Sequence, residues 1–228
     1  MIRRSFFKRL IFGYLTLKNA LYADSKKDCL EEEPLKIGEI KHKVCFIGVG
    51  GGGTNIVEDI ATIDDKHSFI HLNTDEQALK RKKSGTRILL KNKNRLGCGG
   101  KVQCGVKSVT PQVKKQLYTL TKDFSKVYVI STLGGGVSSG ATPEIVKYLQ
   151  SKLNKKVVVF SVMPFSFEGK KRLSTAMKSR DKISIYASEH FTLQNDELLD
   201  KRFLQSIKTT LNKMSKNIYN MLNNIEKG

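Results

Sequence analysis

The chain has 228 residues, 39% apolar and 27% charged, which suits one large domain with appendages and excludes wholesale disorder. No apolar run reaches the about 18 residues a membrane span needs. With 41 Lys and Arg against 21 acids the net charge is +20, which fits an anionic partner, nucleic acid or membrane, or a Lys-rich solvated surface.

Residues 1–23 carry Arg3, Arg4, Lys8, Arg9 and Lys18 and no acid. Phe7, Leu10, Ile11, Tyr14, Leu17 and Leu21 recur at helical spacing, which predicts a basic amphipathic helix. Such a helix reads as an organelle transit peptide, as an anchor on an anionic membrane, or as a tail without a role. A secretory signal fits less well, because Lys8, Arg9 and Lys18 leave only a short apolar stretch. Residues 24–43 are polar and read as a linker, so 1–43 form an extension.

Beyond it, strand and helix patterns alternate. Strands are expected at Val44–Val49, Ser68–Leu72, Thr86–Leu90, Lys126–Thr132, Lys156–Val162 and His190–Gln194. Helices are expected at Thr54–Ile63, Glu76–Lys83, Val106–Lys122, Pro143–Leu153 and Gly169–Tyr186, and a long one at Asp200–Ile225. This alternation predicts an α/β domain over 44–199, a three-layer parallel sheet with helices on both faces, with 200–228 a long helix after it. Ligands of such sheets sit at the carboxyl ends of the strands. The four cysteines, Cys29, Cys45, Cys98 and Cys104, show no CxxC spacing and no paired His motif, so zinc is not expected, and a chain of this size does not suggest a disulfide framework.

Three glycine-rich stretches lie at expected strand ends or before helices: Gly48–Asn55, Gly97–Gly100 and Gly134–Gly140. Removing side chains in a row lets backbone approach a ligand, and the N–H groups of a following helix favour phosphate. Three such turns in one sheet point to a polyphosphate. Gly48-x-Gly50-x-x-Gly53 with Asp75 also fits a dinucleotide fingerprint, hence an NAD-dependent oxidoreductase, but leaves the second loop unexplained. No Walker-type lysine follows either loop, which excludes a P-loop. Residues 80–101 hold nine Lys or Arg and no acid, which keeps a nucleic-acid-binding alternative in view. RNA readers interleave aromatics with such charge, and this stretch has none.

Gly48–Asn55, Asn73-Thr74-Asp75, Gly97–Gly100, Gly134–Gly140, the run from Pro164 to Arg172 (PFSFEGKKR) and Asn195-Asp196 occur in the order and spacing of FtsZ. From about Lys43 to Leu199 the chain therefore resembles the tubulin/FtsZ GTPase family. The resemblance implies GTP or GDP as ligand, with magnesium bound through the nucleotide and no metal held by the protein alone. Gly51, Gly52, Gly53 and Asn55 would hold the α- and β-phosphates, with Asn73 and Asp75 near the phosphates and magnesium. Cys98 and Gly99 would approach the γ-phosphate, and Gly134, Gly135, Gly136, Val137 and Ser138 would wrap the phosphates. Glu168 and Arg172 would meet the ribose, Asn195 the nucleoside and Asn212 the guanine edge.

Departures from the family pattern carry their own expectations. The signature loop reads GGGVSSG where the family usually has GGGTGTG. Val137 thus replaces a hydroxyl, and Ser138 replaces a glycine, which would strain any left-handed backbone there. Lys101 stands where the family has a neutral residue. The resemblance places a catalytic aspartate loop and a second domain after the long helix, and the sequence stops at Gly228. On that reading the second domain is missing and no catalytic residue is assigned here. The chain would then join, regulate or cap a division-ring filament of full-length FtsZ-type subunits, and hydrolysis would be completed in trans by a partner's loop. The implied location is the cytoplasmic division site, or the plastid stroma if residues 1–23 are a transit peptide.

Overall fold

The structure, a computed structural model, describes residues 43–92, 95–198 and 207–227; the expected basic helix, most of the linker and residues 199–206 lie outside them. The strands are β1 (Cys45–Val49), β2 (Ser68–Asn73), β3 (Thr86–Leu89), β4 (Lys126–Thr132), β5 (Lys156–Met163) and β6 (Glu189–Gln194). The helices are α1 (Gly50–Ile63), α2 (Glu76–Lys80), α3 (Val102–Ser108), α4 (Pro111–Thr121), α5 (Gly136–Ser151), α6 (Lys170–Ser184) and α7 (Ile207–Lys227).

All six strands run parallel in the order β3-β2-β1-β4-β5-β6. The apolar runs of β1, β4 and β5 are buried on both faces, as an interior parallel sheet requires. Alternation divides their side chains between two cores. Cys45, Ile47 and Val49 point into one with Val113 and Leu117 of α4, Ile145 and Leu149 of α5 and Ala176 and Ile183 of α6. Phe46 points into the other with Ile56 and Ile60 of α1 and Ile218 and Leu222 of α7. The expected three layers are thus present. Strand order reverses between β1 and β4, which opens a crevice at their carboxyl ends.

Three boundaries differ from expectation for local reasons. The single helix expected over Val106–Lys122 is two, because Pro111 lacks an N–H and instead starts α4, with the Thr110 hydroxyl accepting from the Val113 amide. The helix α1 begins at Gly50, four residues before Thr54. The helix α5 begins at Gly136, seven before Pro143, so both glycine stretches form first turns rather than free loops. Pro143 sits inside α5 and cannot donate to the carbonyl four residues earlier, that of Ser139. The Ser179 hydroxyl of α6 donates to that carbonyl at 2.9 Å, so the gap in one helix becomes the docking point of the next.

Candidate functional site

The glycines at the crevice have distinct duties. Gly50 has φ +76, and a Cβ there would lie 3.1 Å from the Ser138 Cβ, so the first turns of α1 and α5 touch. A Cβ on Gly52 would strike the Thr132 side chain, and one on Gly53 the Ile130 carbonyl of β4. A Cβ on Gly51 meets nothing within 4 Å. Of the three glycines expected to hold phosphates, two are needed for helix-on-sheet contact and Gly51 faces open space.

The helices α1 and α5 also share an electrostatic property. Neither has a side-chain cap at its start, and neither has an acid in its first turn. By contrast, α2 and α4 are capped by Asp75 and Thr110. The first N–H groups of α1 and α5 have no intrahelical partners, and the helix dipoles add positive potential where the two ends meet. This is the wall an anion needs, built from backbone alone.

Neighbouring loops extend the crevice on both sides. Gly136 lies against the third glycine stretch: a Cβ there would be 2.8 Å from the Lys101 amide nitrogen and 3.0 Å from the Cys98 Cβ. The Thr74 hydroxyl, after β2, faces Cys98 Sγ at 3.9 Å. On the other side Gly134, with φ +97, packs on Arg172, and Arg172 pairs with Glu168 at 2.7 Å. The Glu168 carboxylate also accepts from the Phe165 amide at 2.8 Å. The Ser166 amide donates to Asp196 at 3.1 Å, which brings the end of β6 to the same edge. The Gly134 amide donates to Ser139 Oγ at 2.8 Å, holding the turn in shape.

Asn195 is buried, and among the described residues its Oδ1 has no partner. An unpaired buried amide oxygen is costly and fits a ligand that donates to it. The uncapped helix starts offer donors for an anion at the carboxyl ends of β1 and β4, and this oxygen offers an acceptor just after β6.

The other expected site residues have these surroundings. Asn73 Oδ1 accepts from the Asp75 amide, and Asp75 caps α2 by accepting from the Ala78 amide at 2.9 Å. Both residues shape the turn after β2, Asp75 through one carboxylate oxygen. Asn55 is exposed and accepts from Lys82 Nζ. Asn212 is exposed on α7. Val137 is buried in the apolar core. The strain expected at Ser138 is absent, since among the described residues only Arg95 and Asn154 are non-glycines with positive φ. The cysteine expectation also fails: Cys98 and Cys104 form a disulfide six residues apart. No periodicity marks that pair, nor the roles of Thr132, Ser139 and Ser179, because each depends on contacts between separate elements.

A model of the tubulin/FtsZ family GTPase domain matches residues 43–202. The cell division protein FtsZ of Buchnera aphidicola subsp. Baizongia pistaciae is 33% identical over 159 residues, 67% of this chain and 40% of that protein. That of Aquifex aeolicus is 30% identical over 161 residues, 68% of this chain and 43% of that protein. The chain thus matches less than half the length of these curated relatives. Among solved structures, an empty FtsZ dimer from M. jannaschii superposes with a TM-score of 0.72 at 23% identity, covering 89% of this chain and 58% of that one. A GTPγS-bound protofilament of CetZ2 from Haloferax volcanii gives 0.73 at 21%, covering 81% and 58%. At these identities the structures share the fold. The family match runs through every strand from β1 to β6 and both glycine-started helices, and on it the chain belongs to the tubulin/FtsZ family, in its GTPase domain.

Proposed function

We propose that this domain binds GTP or GDP, with magnesium carried on the phosphates, at the crevice between β1 and β4. The observation that carries this reading is the meeting of two glycine-started, uncapped helix ends at Gly50 and Ser138. Gly51 and the turn from Gly134 to Ser138 line the phosphates, Cys98 and Gly99 close the far side, Glu168 and Arg172 face the ribose, and Asn195 and Asn212 take the base side. Titration calorimetry of the folded protein with GDP, ADP and NADH tests this. Guanine nucleotide binding alone is expected, and a folded chain that binds no guanine nucleotide rejects the reading.

The nucleotide face then serves a filament of like subunits at a division site. Support comes from the curated relatives, which are cell division proteins, and from the CetZ2 structure, which is a protofilament. Hydrolysis is completed in trans by a partner's loop, as the family resemblance implies; the carboxylates described at this edge, Asp75, Glu168 and Asp196, each hold a contact within the domain. Co-sedimentation with a full-length FtsZ, with phosphate release followed in the mixture, tests both. No co-sedimentation rejects the filament role. Phosphate release by this chain alone at the rate of the mixture rejects completion in trans. Residues 1–23 add contact with anionic membranes by their charge; loss of vesicle binding on deleting them is the expected result.

A further inference from the structure

We propose that Cys98 and Cys104 form a reversible thiol–disulfide site in the wall of the crevice, whose state sets the mobility of the Gly97–Lys101 loop and with it the grip on the nucleotide. The last clause rests on the guanine-nucleotide reading; the thiol chemistry and the loop's mobility do not.

The bond joins two parts that the backbone joins weakly. The Lys101 amide donates to the Cys98 carbonyl at 2.9 Å, and the Cys104 amide to the Lys101 carbonyl at 3.1 Å. Gly97, Gly99 and Gly100 all have positive φ, and an added Cβ at any of them meets nothing within 4 Å. The loop is therefore open on one side, and glycine leaves it a broad choice of conformations once released. On its other side it is held by Gly136 against Cys98 and Lys101, by Thr74 on Cys98 Sγ and by Asn92 on the Gly97 carbonyl. The disulfide fixes this loop to α3, and α3 packs against α5 through Gly105 and Gly140. One covalent bond thus couples the loop to the helix whose start lines the crevice.

The two sulfurs differ in access. Cys98 is buried and Cys104 is half-buried, flanked at three residues on each side by the exposed Lys101 and Lys107. Cations nearby favour thiolate and speed exchange. Cys45, free in the core, has its thiol pushed up to about 12 by burial and stays out of the exchange. A small-molecule thiolate attacks Cys104 Sγ, the Cys98–Cys104 bond breaks, and Cys98 leaves as a thiolate that takes a proton from water. A second thiolate attacks the small molecule's sulfur in the mixed disulfide. That forms the small-molecule disulfide and frees Cys104, so two electrons pass from the two thiols to the protein. The small-molecule disulfide drives the reverse reaction.

The test equilibrates the whole chain in buffers from reduced to oxidised glutathione. Thiols are mapped by alkylation, loop amide exchange is followed by mass spectrometry, and affinity is measured with fluorescent GDP. Cys98 and Cys104 should titrate together as a two-electron couple. Exchange at 97–101 should be at least about fivefold faster in the reduced form, and GDP affinity should differ by about fivefold or more between the forms. The variant C104S should show the faster exchange at every glutathione ratio, while C29S keeps the response. Cysteines that remain alkylatable throughout, or equal exchange in both states, overturn the switch. Equal GDP affinities overturn its coupling to the nucleotide. If no guanine nucleotide binds in either state while exchange still follows the thiols, the nucleotide reading falls and the switch stands.

Discussion

Gly50 and Ser138 meet across the point where the strand order reverses, with a Cβ on Gly50 lying 3.1 Å from that of Ser138. The contact aligns two helix starts that no side chain caps, so their unpaired amides converge on one volume. Because the wall is backbone, its chemistry responds to side chains that intrude on it more than to side chains that are lost.

Gly51 and Gly53 separate binding from folding. Gly53→Ala puts a methyl group on the Ile130 carbonyl and 3.2 Å from the Ser131 Cα, so it should lower stability by about 1–3 kcal/mol. Gly51→Ala meets no protein atom and lies in a helix, so its stability should equal or exceed the parent's by up to about 1 kcal/mol. On the proposed reading the open space it enters is the nucleotide's, so guanine nucleotide affinity should still fall. Urea denaturation and GDP titration of both variants give the comparison, and full GDP affinity in Gly51→Ala would contradict it.

Asn195 should behave in the opposite sense to a structural asparagine. Its Oδ1 is buried without a partner among the described residues. Asn195→Ala should leave the unliganded protein within about 1 kcal/mol of the parent or make it more stable. The same change should weaken GDP binding, and the gain in melting temperature on adding GDP should shrink accordingly.

Ser179 tests the compensation for Pro143. Ser179→Ala leaves the Ser139 carbonyl buried and unpaired, and should cost about 1–3 kcal/mol in a denaturation experiment. Because Ser139 also accepts from the Gly134 amide, a GDP affinity loss should accompany it. Replacing Pro143 with Ala as well restores a donor for that carbonyl within α5, so the double variant should recover part of the stability.

His71 gives the fold a defined acid sensitivity. Burial holds its pKa down to about 4, against the opposing pull of Glu58 and with help from Lys82, while its Nε2 faces Ser84 Oγ at 3.0 Å. The unfolded chain protonates it at about 6.5, so below that pH the unfolded state binds more protons than the folded one. Stability is therefore full above the unfolded value and falls as pH drops toward about 4, for a total of about 3 kcal/mol from this group. His71→Gln should flatten that part of the profile. His67 and His190, also held down chiefly by burial, remain in the variant and keep a residual slope. Equal pH profiles for parent and variant would contradict the assignment.

The sheet was readable along the chain because its signal is local. Runs such as Lys126–Thr132 and Lys156–Val162 have nowhere to bury so much β-branched surface except an interior strand, and the glycines between them mark where backbone must come close. The order of the motifs, from Gly48–Asn55 to Asn195-Asp196, was enough for the family, because each turn follows its own strand.

Local pattern did not tell which of these glycines packing requires. That depends on what lies opposite: Thr132 for Gly52, Ile130 for Gly53, nothing for Gly51. The same holds for Asp75, whose carboxylate accepts from the Ala78 amide, and for Cys98, whose partner lies six residues on across a turn of glycines. The tertiary structure alone decides these roles. An amide, carboxylate or thiol has several partners within reach of its sequence neighbours, and only packing between elements selects one.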